Sequence, residues 1–153
     1  MAKEDDAQDE GRRELATYPF HCQIQSRFGD MDIQGHINNV ATVGFYQEAR
    51  VQFHWEHLHH TPAHGGWAPV VANLNITFLK EISYPSTVTV GVAVGRIGRS
   101  SFTLVKGLFD DHGECLGLAE TVTVVTSGGR STPIPDELRA RLVAAQLRRE
   151  NEA

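Results

Sequence analysis

The sequence predicts an α+β fold in which about five antiparallel strands curl round one long helix. One observation behind this is the order of the elements: a strand, a long helix, four strands and a short helix. A second is that the links "GRIGRS" and "DDHGE" have hairpin composition, so the strands they join are expected to be antiparallel neighbours. The third is that the apolar residues of the helix spread widely around its axis, which favours a sheet that wraps it.

The first elements follow a change in composition after residue 16. Residues 1–16 are charged and lack aromatic or β-branched side chains, so they are expected to be a disordered or frayed tail. Apolar residues then alternate with polar ones from Phe20 to Phe28, which predicts a half-buried strand. Residues 40–58 contain no proline and have apolar spacings of three and four, which predicts a helix of about five turns. The segment "HTPAHGGWAP" ends that helix.

The second half of the chain predicts strands and then a terminal helix. The apolar positions of the four strands are Leu74, Ile76 and Phe78; Val88, Val90, Val92 and Val94; Phe102, Leu104 and Leu108; and Leu116, Leu118, Val122 and Val124. We therefore expect one domain over residues 17–130. Residues 131–153 are expected to form an amphipathic helix, with Pro135 near its start and acidic residues in its first turn.

Composition and charge exclude several classes of protein. The formal charge of −5, from 14 basic and 19 acidic residues, argues against a nucleic-acid or anionic-membrane surface. No apolar run approaches the roughly 20 residues that span a bilayer, and the acidic start lacks a secretory signal. Cys22 and Cys115 lie far apart without a CxxC spacing, which indicates reduced thiols in a cytoplasmic protein.

The stretch "RFGDMDIQGHINN", residues 27–39, concentrates polar groups where the first strand gives way to the long helix. Aspartate and asparagine are favoured as helix caps, and capping alone explains any one of these residues. One cap needs only one side chain, however. The stretch contains two carboxylates, a glycine, a histidine and two asparagines, at Asp30, Asp32, Gly35, His36, Asn38 and Asn39.

The same junction could also perform chemistry. The first N–H groups of a helix have no partner within the helix, so they favour an anion or a polarised carbonyl oxygen. A carboxylate on the preceding loop could attack the carbonyl carbon or activate a water molecule. An activated acyl group such as a thioester suits this arrangement, because its thiolate leaves without strong acid help. The residues by themselves indicate a possible acyl-transfer site.

The stretch "FGDMDIQGHINN", with the following "FYQEAR" and "GRSSF", resembles the hotdog-fold thioesterases over about residues 18–128. The nearest resemblance is to the 4-hydroxybenzoyl-CoA thioesterase and acyl-CoA thioester hydrolase group. The DxDxxGHxNN pattern is also similar to plant acyl-ACP thioesterases. The resemblance implies a hotdog fold, in which a curved antiparallel sheet surrounds a central helix.

This resemblance also implies roles for individual residues. Asp32 would be the catalytic carboxylate, and the N–H of Asn39 would stabilise the oxyanion. Gly35 would make the turn into the helix, and Asp30 would hold the loop. His36 is expected either to orient or exchange protons with the reacting groups, or to be a buried, hydrogen-bonded histidine.

Two further positions follow from the resemblance. Glu48 matches a helical glutamate that another hotdog branch uses as nucleophile or base, although a salt bridge to a basic partner is the expectation here. Arg99 matches a position that meets nucleotide phosphates, with Arg96 and Ser100 close enough to share that task. The alternative is that Arg99 is simply a solvated arginine at a hairpin tip.

Five of the eight histidines lie close together, at His54, His57, His59, His60 and His64. Their spacing does not match HExxH, and histidine is favoured near a helix C-terminus, so no metal site is expected.

The function expected from the sequence is hydrolysis of a fatty-acyl or aryl-acyl CoA thioester. CoA is then part of the substrate, and no separate cofactor is expected. Alternatives are an acyl-ACP thioesterase, a hydratase or dehydratase, a non-catalytic acyl-CoA or acyl-carrier binding module, and a histidine–metal protein. A sheet that wraps one helix leaves bare edges, so a homodimer or homotetramer is expected.

Overall fold

The structure is a computed structural model that describes residues 10–59 and 66–148. Besides helical residues 10–12 and two 3-10 turns, the described ranges contain two helices and six strands. In chain order these are β1 (Phe20–Gln25), α1 (Asn39–His57), β2 (Ala68–Phe78), β3 (Thr87–Ile97), β4 (Ser101–Phe109), β5 (Cys115–Ser127), β6 (Arg130–Ser131) and α2 (Asp136–Ala144).

The strands form one antiparallel sheet with the order β1-β3-β4-β5-β2, and the two-residue β6 pairs with the end of β5. The two predicted hairpins are confirmed, because β3, β4 and β5 are neighbours both in the chain and in the sheet. Five long strands curve round α1, and α2 follows them. The predicted fold class and element order are therefore confirmed.

The core lies between α1 and the middle of the sheet. Phe45, Ala49 and Phe53 on α1 are at most 6% exposed, and they pack among inward residues of β1, β3 and β4. The opposite side of the helix is open, since Trp55 is 53% exposed. No helix within the two described ranges is long and apolar enough to cross a membrane.

The first predicted strand is shorter in the structure, because β1 ends at Gln25 and a 3-10 turn follows at Phe28–Asp30. Of the predicted terminal helix, only Asp136–Ala144 is helical within residues 131–148, and residues 149–153 lie outside the described residues. After α2, the backbone N–H of Val94 in β3 donates to Ala145, and the N–H of Leu147 donates back to Val94. β1 starts opposite Val92 and does not extend to Val94, so the segment after α2 takes up these hydrogen bonds instead.

The prediction of a frayed tail fails for residues 10–16, while residues 1–9 lie outside the described residues. The hydroxyl of Tyr18 donates to the carbonyl of Arg12 at 2.6 Å, and Thr17 Oγ1 donates to the carbonyl of Gly11 at 2.7 Å. Arg12 Nη1 also lies 3.2 Å from Glu120 Oε2 on β5. Composition missed this order because the segment is held through its backbone carbonyls and through a residue on a distant strand.

The sheet has two edge strands, β1 and β2, and β2 is the more exposed of them. Every residue of β2 is exposed or half-buried. Val71, Leu74 and Phe78 are 43%, 44% and 51% exposed. An exposed edge of eleven residues with apolar side chains is a surface that proteins normally cover.

Candidate active site

Asp30 fixes the loop between β1 and α1. Its side chain is buried and accepts a hydrogen bond from the backbone N–H of Arg27 at 2.8 Å. Its carbonyl accepts another from the N–H of Asn38 at 2.8 Å. Asp30 therefore holds both ends of the loop, as the sequence predicted.

Asp32 lies at the exposed turn of this loop. Its Oδ1 accepts hydrogen bonds from the backbone N–H groups of Gln34 at 2.8 Å and His36 at 3.2 Å. Its own N–H donates to the carbonyl of His36 at 2.7 Å. Gly35, with φ of +82°, lets the chain turn between them in a backbone region that other residues rarely adopt. The carboxylate is held by Oδ1, and Oδ2 accepts no hydrogen bond from the described residues.

The N-terminus of α1 is capped by Asn38 rather than by the aspartates. Asn38 Oδ1 accepts a hydrogen bond from the N–H of Ala41 at 2.7 Å. Asn39 is the first helical residue, and its side chain is exposed. Its N–H is one of the helix N-terminal donors that have no acceptor within the helix. The two consecutive asparagines thus have different roles: Asn38 caps the helix, and Asn39 presents a backbone N–H.

Asp32, His36 and Asn39 line one cleft with a volume of about 260 Å³. The structure therefore brings together three of the residues that the sequence singled out. His36 Nε2 lies 3.2 Å from Glu81 Oε2, and the His36 side chain is 31% exposed. The ring is thus half-buried beside a carboxylate, and both alternatives for His36, a helper of the reacting groups and a buried, hydrogen-bonded histidine, stay predictions.

The opposite wall of this cleft comes from the end of β2 and the segment after it, a placement that sequence reasoning missed. Phe78, Lys80 and Glu81 lie there. They reach the cleft because the N–H of Ile37 donates to the carbonyl of Ile82 at 2.7 Å, which docks the segment against the loop. No local motif marks these residues, since their place depends on a backbone contact between distant segments.

A larger groove of about 840 Å³ lies on the other side of the helix N-terminus, between β1 and α1. Asn39 lines both clefts, and Glu48 lines the larger one. Glu48 accepts a hydrogen bond from Gln52 Nε2 at 2.9 Å and forms no ion pair with a described residue. The predicted salt bridge of Glu48 is therefore wrong.

The proposed CoA-binding residues lie far from Asp32 within one chain. Arg96, Arg99 and Ser100 are at the β3–β4 hairpin tip, and both arginines are exposed. The Asp32 loop lies at the other end of β3, where Gln25 pairs with Thr87. Eleven strand residues separate the two ends by roughly 33 Å. One chain alone does not bring these residues together with Asp32.

Two histidines of the predicted cluster, His54 and His57, pack against aromatic rings, while His59 is exposed. His54 is 4% exposed beside the rings of Phe53 and Phe102. His57 stacks on Phe53 with ring centroids 5.2 Å apart, and burial lowers its pKa. His60 and His64 lie outside the described residues. Within the described ranges, no three His, Cys, Asp or Glu side chains come together as a metal site would require.

Comparisons with known proteins identify the family of this chain. Residues 26–142 match the model of the Thioesterase-like superfamily. A putative thioesterase from Pseudomonas aeruginosa, PA2801, has 34% sequence identity and a TM-score of 0.71, covering 81% of this chain and 96% of its own.

Two further relatives extend the comparison. A thioesterase from Thermus thermophilus, crystallised with coenzyme A and zinc, has 28% identity and a TM-score of 0.72, covering 82% of this chain and 98% of its own. The uncharacterized protein YsmA of Bacillus subtilis is 25% identical over 129 residues, which are 83% of this chain and 87% of YsmA. This chain belongs to the thioesterase-like superfamily and has the hotdog fold.

Proposed function

We propose that this protein hydrolyses acyl-CoA thioesters with a fatty-acyl or aryl-acyl group. The observation that carries the proposal is the single cleft shared by the Asp32 carboxylate and the Asn39 N–H. Superfamily membership supports thioester hydrolysis, and a relative that binds coenzyme A supports CoA as the carrier.

In this mechanism the thioester carbonyl oxygen accepts a hydrogen bond from the Asn39 N–H at the positive end of α1. The donor is already in place, so it stabilises the oxyanion as negative charge develops. Asp32 either takes a proton from the water that attacks the carbonyl carbon, or attacks that carbon to form an anhydride that water then cleaves. In both routes the C–S bond breaks and CoA departs as a thiolate.

His36 has a supporting part in this proposal. Its backbone N–H holds Asp32 Oδ1, while its ring contacts Glu81. The residue therefore ties the carboxylate loop to the far wall of the cleft. A histidine in this place can also exchange a proton with the leaving thiolate or with water.

The CoA phosphates would be met by Arg99, Arg96 and Ser100 of a second copy of the chain. β2 begins at Ala68 beside the hairpin tip, because the N–H of Val125 in β5 donates to Ser100. β2 ends at Phe78 in the Asp32 cleft. Antiparallel pairing of two β2 edges would therefore place the hairpin tip of one copy near the Asp32 end of the other.

This dimer has its own test. Leu74→Asp places a charge in the middle of the exposed edge strand and should give a monomer in sedimentation. Thr77→Asp on the other face of β2 controls for added charge. Arg99→Ala should raise KM for acyl-CoA about tenfold while leaving kcat near that of the wild type. An unchanged KM would remove Arg99 from the phosphate site.

The function itself is tested by thiol release from acetyl-, hexanoyl-, palmitoyl-, benzoyl- and 4-hydroxybenzoyl-CoA, and from the same acyl groups on an acyl-carrier protein. We expect turnover of CoA thioesters. Faster turnover on the carrier protein would make the protein an acyl-ACP thioesterase instead. Tight binding of acyl-CoA without any turnover would make it a binding module and would refute the proposed hydrolysis.

A further inference from the structure

Lys106 is a buried lysine in the middle of β4, with 2% of its surface exposed. Its strand neighbours on the same face, Leu104 and Leu108, belong to the core under α1. Lysine is almost never fully buried unless it is paired with an opposite charge. A carboxylate is therefore expected close to the ammonium group of Lys106.

No carboxylate compensates Lys106 within the described residues. Its ammonium group donates a hydrogen bond to Thr121 Oγ1 on β5, which is a neutral partner. The charged group that acts on it is a second cation, Arg50 on α1, and burial together with this arginine lowers the pKa of Lys106 to about 7. Arg50 is itself half-buried, and it forms no ion pair or hydrogen bond in the part of the chain that the structure describes. Neither Lys106 nor Arg50 is therefore paired with a carboxylate in the described ranges.

Two threonines on β5 add hydroxyl groups on the same face of the sheet. Thr121 accepts the hydrogen bond of Lys106 and retains a hydroxyl proton that it can donate. Thr123, two residues further along the strand, is fully buried, and its hydroxyl has no hydrogen-bond partner among the described residues. We call Arg50, Lys106, Thr121 and Thr123 the basic cluster. All four side chains can donate a hydrogen bond to an anion.

The basic cluster lies on the β2 side of α1. Thr121 pairs with Leu104 of β4 on one side and with Leu74 of β2 on the other. The proposed dimer covers the β2 edge, so access depends on Arg50, which is only partly covered on α1. An anion carried on an apolar group could therefore lie along the β2 side of α1 and place its charge at Arg50.

We propose that the basic cluster binds the carboxylate of an organic acid. A buried cation without a counter-charge is costly, and an arginine fork with an adjacent ammonium matches a carboxylate in charge and geometry. The carboxylate has two possible sources. One is the distal end of a dicarboxylic acyl group, which rests on the proposed function, and the other is a free carboxylic acid.

The position of the cluster favours the distal end of an acyl group. Arg50 follows Asn39 by eleven residues, which is roughly 16 Å along α1. Side chains on a helix lean toward its N-terminus, so the guanidinium lies closer to the cleft than its Cα does. An acyl chain whose thioester carbonyl is at the Asn39 N–H would then end at the cluster.

The first experiment compares CoA thioesters of equal length that end in a methyl group or a carboxylate: hexanoyl and adipoyl, octanoyl and suberoyl, decanoyl and sebacoyl. At the length that reaches the cluster, the wild type should prefer the carboxylate by about tenfold or more in kcat/KM, as expected for charge-assisted hydrogen bonds. Lys106→Met and Arg50→Met should abolish this preference. Arg141→Met, which removes a half-buried cation on α2 that is paired with Glu137, should keep it.

A second experiment measures binding of free octanoate and of neutral methyl octanoate by calorimetry. If octanoate binds the wild type but not Lys106→Met or Arg50→Met, while the thioester pairs show no preference, the carboxylate comes from a free acid. If no thioester is hydrolysed at all, the proposed function fails and calorimetry alone decides the inference. The inference is overturned if neither the chain-end preference nor octanoate binding depends on Arg50 and Lys106. Arg50→Met is at a half-buried site, so it provides the test even if Lys106→Met does not fold.

Discussion

The Asp32 junction and the basic cluster are both polar, but only the junction provides each charged group with a complementary hydrogen-bonding partner. At the junction, Asp30, Asp32 and Asn38 accept hydrogen bonds from backbone N–H groups a few residues away. In the basic cluster, Lys106 has a neutral partner and a like-charged neighbour. The junction is therefore stable by itself, whereas the stability of the cluster should depend on pH and on bound anions.

The largest stability effect should come from Lys106→Met. Methionine fills a similar volume without a buried charge, so the free energy of unfolding at neutral pH should rise by about 1–4 kcal/mol. Urea unfolding at about pH 7 measures this. A loss of stability in this variant would mean that the Lys106–Thr121 hydrogen bond outweighs the cost of burying the charge.

The pH dependence of the free energy of unfolding should also distinguish the basic cluster from the junction. The pKa of Lys106 is about 7 in the folded state, below the ordinary value of 10.5, so the unfolded chain binds an additional proton between these values. The free energy of unfolding should therefore rise with pH above about 7, by at most about 1.4 kcal/mol per pH unit. This increase in the free energy of unfolding is lost as the pH falls to about 7. Below that pH, Lys106 carries the proton in both the folded and the unfolded state.

Urea unfolding of the wild type and Lys106→Met, from about pH 7 to about pH 8.5, tests this slope. The range stops there because burial raises the pKa of Cys22 and of Tyr46, and both groups would favour unfolding at higher pH. Equal slopes in the two proteins would show that Lys106 does not titrate in this range.

Asp30→Ala should have the next largest effect, because it removes a buried carboxylate and leaves the N–H of Arg27 without its acceptor. We expect a loss of about 1–3 kcal/mol in the free energy of unfolding. Asp32→Ala is the matched control, since the Asp32 side chain is exposed and its removal should cost less. A larger loss for Asp32→Ala would reverse the structural roles given to the two aspartates.

Asn38→Ala should have the smallest effect, about 1 kcal/mol, because it removes one helix cap. Asn39→Ala should cost clearly less, since its side chain caps nothing. Thermal unfolding of the two variants distinguishes these neighbours, and equal losses would mean that Asn38 is not the cap.

Sequence reasoning found the junction and missed the cluster for a physical reason. The junction residues are contiguous, and their backbone N–H donors are their own neighbours in the chain. The cluster joins Arg50, Lys106 and Thr121 from three elements, and only the sheet register brings them together. One signal was available, because Lys106 interrupts the apolar alternation of Leu104 and Leu108. The same limit explains Glu81, which reaches the cleft through a contact between distant segments.

The central claim is that Asp32 is the catalytic carboxylate. The most direct test compares Asp32→Asn with Asp30→Asn. The measurement is the kcat of thiol release from the best CoA thioester of the panel. Both changes remove one negative charge and keep the shape of the side chain. We predict that Asp32→Asn lowers kcat by about a hundredfold or more while the protein stays folded, and that folded Asp30→Asn retains most of its activity. Near-normal turnover by Asp32→Asn would contradict the assignment of Asp32 as the catalytic carboxylate.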